Sequence, residues 1–452
     1  MRSMTPKTLV LAALLTACAT PEKPPEEAKP EVFPSTYQAG AAQAVLIRGA
    51  TVLTGDGRRI DHGDVWLENG KITAVGQQLD AGAARIVDGT GRWVTPGIID
   101  AHSHLGVYPS PGVWASAEGN ELTAPVTAEV WAEHSIWPQD PGFEAARANG
   151  GITSLLIIPG SGNLIGGRGM VAKNVPAVTY QAMKFPGAPH VLKMACGENP
   201  KRVYGRDKKA APMTRMGNVA GYRAAFAKAQ AYTGKWQHWE KEKKAKGEPP
   251  PDRDLQLETL AGVLKGEILV HNHCYRADEM ATMLDVALEF GYKIQAFHHA
   301  AEAYKIAPLL ARTQTCAAMW ADWWGFKLEA FDGIRENAAM VHAAQSNGNA
   351  GCAIIHSDSE YGIQRLNQEA ARSAALRLSS LRTALNCSSC ISRSALCFSR
   401  TRTSCPSRSG VAVVWISSGT SGFSDSRFGR LTCAILSKPA LSMRKPVSAD
   451  AR

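Results

Sequence analysis

The chain has 452 residues, 45% of them hydrophobic and 20% charged, which is enough to bury a large core and excludes a disordered or collagen-like protein. No run of eighteen apolar residues occurs, so the hydropathy contains no membrane-spanning helix. The formal charge of +10 would suggest a nucleic-acid binder, but ten Arg and two Lys against Asp425 and Asp450 fall after Leu376, leaving 38 basic and 38 acidic side chains before it. The body is neutral, and no nucleic-acid partner is expected.

In chain order, Arg2 and Lys7 precede a short apolar run, 9–15, and then Leu15-Thr16-Ala17-Cys18. That order of charge, apolar stretch and small residues reads as a cleavable signal. It resembles a bacterial lipobox, which would make Cys18 the lipidated first residue and 1–18 the signal. Pro and Glu dominate 19–42, a solvated tether that cannot pack. The expected location is the bacterial cell envelope, facing the periplasm, with the membrane reached only through the lipid on Cys18. Cys196, Cys274, Cys316 and Cys352 show no paired spacing, and no obligatory disulfide is expected.

From 43 to 94, short β-rich runs separated by Gly and Asp predict the hairpins of a small sheet domain. After Pro96 near-continuously apolar strands are predicted at 97–104, 153–158, 191–195, 268–273, 293–299, 314–319 and 353–356. Amphipathic helices are predicted between several of them, including 220–232, 277–290 and 300–311. This alternation implies a parallel sheet covered on both faces. A closed eight-stranded α/β barrel over 95–376 is expected, its eighth strand near 106–114 and its reactive groups at the strand C-terminal ends. Residues 163–169 (Asn-Leu-Ile-Gly-Gly-Arg-Gly) read as a loop near the mouth, and 235–254 as an exposed insertion.

Residues with metal chemistry recur at those strand ends. His102 and His104 sit at i and i+2, so both imidazoles can reach one ion at roughly 2.1 Å. Lys193 stands in the middle of an apolar strand, where an ammonium is costly unless paired or chemically altered. His271-Asn272-His273 closes one later strand and His298-His299 the next. Neighbours on a strand face opposite sides, so only one of His298 and His299 is expected to enter the mouth. The last strand ends in His356-Ser357-Asp358.

After Leu376 the composition changes: 377–452 holds 18 Ser and five of the ten Cys, with no Glu and no His. It reads either as a disordered basic tail for an anionic partner or as the translation of a shifted frame.

Asn69-Gly-Lys-Ile-Thr-Ala-Val-Gly76 and Val94-Thr-Pro-Gly-Ile-Ile-Asp-Ala-His-Ser-His104 resemble the amidohydrolase superfamily of metal-dependent hydrolases, closest to its imidazolonepropionase-like branch. Gly197-Glu-Asn-Pro-Lys-Arg-Val-Tyr-Gly205, His273-Cys-Tyr-Arg-Ala-Asp-Glu279, His299-Ala-Ala-Glu-Ala-Tyr-Lys305 and His356-Ser-Asp-Ser359 extend the resemblance, which covers roughly 43–376. It implies a (β/α)8 TIM-type barrel with a small β-sandwich domain. It implies a divalent metal of the Zn2+ kind, one ion or two, held by His102, His104, His273, His299 and Asp358. Lys193 would be a carbamylated bridge between two ions, with Glu198 a rival carboxylate. Asp358 would be the general base, and Arg276, Tyr304 and Glu198 are candidates for binding a small-molecule amide substrate. The implied reaction is hydrolysis of an amide or cyclic-amide C–N bond. A deaminase or other hydrolase on the same scaffold is the alternative, and a non-catalytic product of a frameshifted gene is a third reading. A homo-oligomer is compatible with all of them. The resemblance stops where the composition breaks. A shifted frame is therefore favoured for 377–452, with the C-terminal sandwich strands missing and a sheet edge left unpaired.

Overall fold

The computed structural model describes residues 32–320 and 325–357, together with the backbone of Cys433–Leu436. Both sheets belong to the compact unit that begins at Ser35. No described helix is long and apolar enough to cross a membrane.

The small sheet comes first. β1 (Val45–Leu53), β2 (Arg59–Glu68) and β3 (Lys71–Gly76) form an antiparallel meander, as the hairpin pattern predicts. β4 (Arg85–Asp88) and β5 (Trp93–Pro96) instead run parallel to β1, a pairing no local turn signal encodes. Ile47, Ala50, Val52, Val65 and Val94 make the core of this sheet. Asp64 is buried beneath it and accepts hydrogen bonds from the backbone N–H groups of Gly49 and Leu79, both at 2.9 Å. The edge expected to stay open is partly closed. Residues Cys433–Leu436 lie antiparallel on β5, with Leu436 opposite Trp93. An unpaired strand edge is a template for any short β-prone segment, and this stretch of the C-terminal region takes it.

The second sheet has eight strands. They are β6 (Ile98–Ser103), β7 (Ile152–Ile157), β8 (Ile165–Lys173), β9 (Val191–Ala195), β10 (Leu269–Cys274), β11 (Ile294–His299), β12 (Cys316–Trp320) and, after the two-residue strands β13 (Gln345–Ser346) and β14 (Asn349–Ala350), β15 (Ala353–His356); Cys433–Leu436 is β16. The order from β15 back to β6 is sequential apart from that small hairpin, and β15 packs against β6 to bring the sheet round on itself. This is a TIM-type α/β barrel. Seven strands fall where the apolar runs predict.

The eighth does not. Residues 106–113 are turns and loop leading into the short 3-10 turn Trp114–Ser116, and the missing strand is β8, antiparallel to both β7 and β9. Its start is the glycine-rich stretch read as a loop. Gly166 and Gly167 hide the strand from any propensity argument, yet Gly167 is required there. It has φ +108°, and a Cβ on it would lie 2.4 Å from the carbonyl oxygen of Val130.

Helices on the outer face are set by ordinary caps. Asp140 accepts from Gly142 N at 2.9 Å, with Pro141 in the first turn, and opens Pro141–Gly150, which Gly151 ends in the left-handed conformation. Thr214 caps Arg215–His238 and Asp254 caps Leu255–Leu264 in the same way. Arg215–His238 runs into the charged segment expected to be an exposed insertion, whose remainder, through Lys244–Lys246 to the prolines, is largely exposed. Tyr222, Phe226, Leu192, Val270, Met280 and Phe297 are fully buried between helices and sheet, each large apolar side chain contributing about 1.5–3 kcal/mol by leaving water.

Two disulfides correct the expectation of none. Cys196 is joined to Cys274 and Cys316 to Cys352. The partners are 78 and 36 residues apart, and parallel neighbouring strands, β9 with β10 and β12 with β15, bring them together.

Candidate functional site

Seven histidines and one lysine meet inside the barrel. His102 ends β6, fully buried, and its ring is the hub. His298, His299 and His356 lie with ring centroids 4.8, 4.7 and 4.8 Å from it, and His104 at 4.9 Å. His273 packs on His299 at 4.6 Å. Lys193, 1% exposed, points from β9 and donates to the carbonyl of Pro159 at 3.1 Å; its register partner on β10 is His271.

Both His298 and His299 reach the cluster, against the expectation of one. His299 adopts φ +70° and Ala300 φ +39° at the end of β11, so the pleat is broken where alternation would have sent one ring outward. A non-glycine residue held there carries strain that the packing around it must support.

The donor chemistry suits a divalent ion. Nδ1 of His104 lies 2.8 Å from the carbonyl oxygen of Ile158, which can only accept, so that nitrogen carries the proton and Nε2 presents a lone pair. Nε2 of His102 is 3.2 Å away, the separation of two nitrogens each roughly 2.1 Å from one ion. Asn199 donates through Nδ2 to Nε2 of His273 at 3.4 Å, so that nitrogen is unprotonated, and an ion bound there would take the place of this contact. Nδ1 of His299 is buried with no hydrogen-bond partner among the described residues. Among those residues no three such donors close on one point as a finished cage. Asp358, the remaining candidate ligand and base, lies outside the described residues, as does Cys18. Burial holds His102, His298 and His299 well below the usual imidazole range and His271 at about 4, with the Lys193 charge pushing each the same way.

The candidate substrate-binding residues make other contacts. Arg276 is spent on a two-pronged pair with Asp278, both bonds 2.9 Å, and the Tyr304 hydroxyl donates to the carbonyl of Asp332. Tyr275, next to Arg276, is the residue that turns in: it is buried, stacks on His299 and meets His273 edge-on. Glu198 is half-exposed and paired with Lys327 at 3.0 Å. It lines an open cavity of about 530 Å³ with Lys201, Arg202, Arg206 and Lys209, which contains none of the histidines. So the buried Lys193, not Glu198, stands among the rings.

Sequence reading passed over Asn199, Tyr275 and Lys327. Lys327 lies 4.0 Å above the Tyr275 ring and donates to Oδ1 of Asn199 at 3.2 Å. Burial lowers its amine below the usual lysine range. Asn199 and Tyr275 stand within the family-like stretches 197–205 and 273–279, but nothing local marks Lys327.

Comparison with known proteins decides the family. The crystal structure of an amidohydrolase from Thermotoga maritima is 34% identical, superposes with a TM-score of 0.67, and is matched over 73% of this chain and 83% of that one. The chain belongs to the amidohydrolase superfamily. Amidohydrolase tasK of Hapsidospora irregularis is 33% identical over 341 residues, 68% of this chain, and the imidazolonepropionase of a Geobacillus species is 37% identical over 82 residues, 16% of it. The chain spans only 35% and 18% of these two curated relatives' own lengths. No family profile matches the chain. Within this superfamily, then, the histidine cluster occupies the end of the barrel where the fold places its reactive groups.

Proposed function

We propose that the chain is a metal-dependent amidohydrolase that hydrolyses an amide or cyclic-amide C–N bond in a small molecule. The observation that carries this is the convergence of His102, His104, His273 and His299 from three strands around the buried Lys193. A structural role would not need that many imidazoles desolvated side by side, since each loses hydration that packing alone does not return.

In this reading His102, His104, His273 and His299, with Asp358, would hold a divalent ion of the Zn2+ kind, and a carbamylated Lys193 would be a further ligand if a second ion is bound. When bound, such an ion lowers the pKa of its water toward roughly 7 and polarises the scissile carbonyl. The chain supplies the rest. Ile158 fixes the tautomer of His104 through its carbonyl, and Asn199 stands beside Nε2 of His273. Asp358 receives the proton of the attacking water and passes it to the departing nitrogen. Tyr275 and Trp320 wall the His299 side and exclude water there. A carbamate on Lys193 would replace a desolvated cation with an anion among neutral rings, which supports that residue over Glu198. The two disulfides support placement in an oxidising compartment, in keeping with a lipid-anchored envelope protein.

The test is elemental analysis of the purified full chain, with a panel of N-acyl amino acids and cyclic amides assayed alongside. Two ions per chain, falling to one in Lys193→Ala, are expected, together with turnover of at least one amide. A folded, metal-free protein that stays metal-free after incubation with Zn2+ would overturn the reading.

A further inference from the structure

Beyond the rings facing the candidate centre, two further histidines are used in a way the proposed reaction does not call for. Nδ1 of His271 lies 2.7 Å from Nε2 of His298, and Nδ1 of His298 lies 2.8 Å from Nδ1 of His102. With His102 to His104 and His104 to Ile158, this makes an unbroken line of four rings ending on a carbonyl.

We propose that His298 and His271 are positioning residues, a hydrogen-bonded arm that sets the tautomer and tilt of His102 and thereby the affinity of the centre for a divalent ion. The proposal rests on the metal-dependent reading above.

Each contact in the line joins two ring nitrogens and holds one proton, and each neutral imidazole carries one. The carbonyl of Ile158 therefore dictates the whole order. His104 has its proton on Nδ1, so His102 must donate from Nε2, His298 from Nδ1 and His271 from Nδ1. An ion that takes the lone pairs of both His104 and His102 at Nε2 requires the opposite order beyond His104. The proton of His102 then sits on Nδ1 and is donated to His298, whose proton on Nε2 is donated to His271, whose own proton sits on Nε2. One proton leaves Nε2 of His102 and one is taken up at Nε2 of His271, so the rings keep their charge. The two contacts beyond His102 survive the reversal, since each of those nitrogen pairs still shares one proton, while the ion takes the place of the proton between His102 and His104. His102 is thus braced in both states, and a ligand that cannot rotate away binds more tightly than a free one. The partners of metal-bound histidines tune affinity by about 10–100-fold in general.

The experiment measures Zn2+ affinity of the metal-stripped full chain by competition with a chromogenic chelator, and reads the histidine tautomers by 15N NMR of selectively labelled protein. His298→Leu, which removes both contacts, should weaken Zn2+ binding by about 10–100-fold, and His298→Asn, whose amide reaches the Nδ1 position, should restore most of it. His271→Leu should weaken it less, and the double Leu variant no more than His298→Leu alone, because the two act in series. On adding Zn2+ the proton of His271 should move from Nδ1 to Nε2. Affinity in His298→Leu within twofold of the parent, equal losses in His298→Leu and His298→Asn, or an unmoved His271 proton would each overturn the arm while leaving the metal site standing. If His298→Leu does not fold, His271→Leu and the tautomer spectrum of the parent still decide. A parent chain that binds no Zn2+ overturns the metal reading and the arm with it.

Discussion

His102 and His298, 196 residues apart in the chain, meet through their Nδ1 atoms at 2.8 Å in the fully buried interior of the barrel. Such a contact exists only because parallel strands carry residues of distant sequence to one end of a closed sheet. It also couples the ring that opens the His102–His104 pair to one outside that pair.

The buried imidazoles impose a pH limit on the metal-free protein. Burial lowers the folded pKa of His271 to about 4 and those of His102, His298 and His299 well below the free value of 6.5. Below pH 6.5 the unfolded chain binds protons that the folded chain refuses, so stability is full above that pH and falls as acid is added. The expected loss is about 1 kcal/mol per ring between pH 6.5 and 5.5, read by urea unfolding at each pH. A stability flat from pH 7 to 5 would show these rings to be hydrated.

Lys193→Met should separate chemistry from stability. The ammonium is 1% exposed and its hydrogen bond is to a carbonyl, at 3.1 Å. A similarly sized apolar side chain avoids the desolvation of that charge, so the metal-free variant should be no less stable than the parent, while hydrolysis falls at least about 100-fold. Loss of more than about 2 kcal/mol in stability would mean that Lys193 is a structural cation.

Gly167→Ala tests the antiparallel strand. The new Cβ would meet the Val130 carbonyl at 2.4 Å in a backbone conformation of φ +108°. We expect a loss of at least about 2 kcal/mol, measured by thermal and urea denaturation. A change below about 0.5 kcal/mol would remove the reason given for glycine there.

The Cys316–Cys352 bond closes a 36-residue stretch. Replacing both with Ala should cost about 2–4 kcal/mol, chiefly by freeing the unfolded chain. A reducing agent should lower the unfolding midpoint of the parent and leave that variant's midpoint changed only through Cys196–Cys274. Equal midpoints for parent and variant under oxidising conditions would contradict the pairing.

Much of this protein was legible without coordinates. Apolar strands alternating with helices identify a barrel because burial on both faces imposes a continuous run on each strand, and seven of eight were visible for that reason. His102 and His104 declare themselves because side chains at i and i+2 share a face, a rule local to one strand. The eighth strand was hidden because its Gly167 answers to a carbonyl on Val130, a neighbour 37 positions away. The disulfides were hidden because parallel pairing joins cysteines with no common spacing. Which histidines meet is likewise a tertiary fact: a left-handed backbone at His299 admits two adjacent rings where alternation allows one. Arg276 faces solvent while Tyr275 turns inward, a choice made by packing rather than by residue type. The sequence by itself determined which chemistry is available and along which strands it runs. Only the closed sheet decided which groups share a proton, because hydrogen bonds of 2.7–3.2 Å depend on positions that local propensity does not specify.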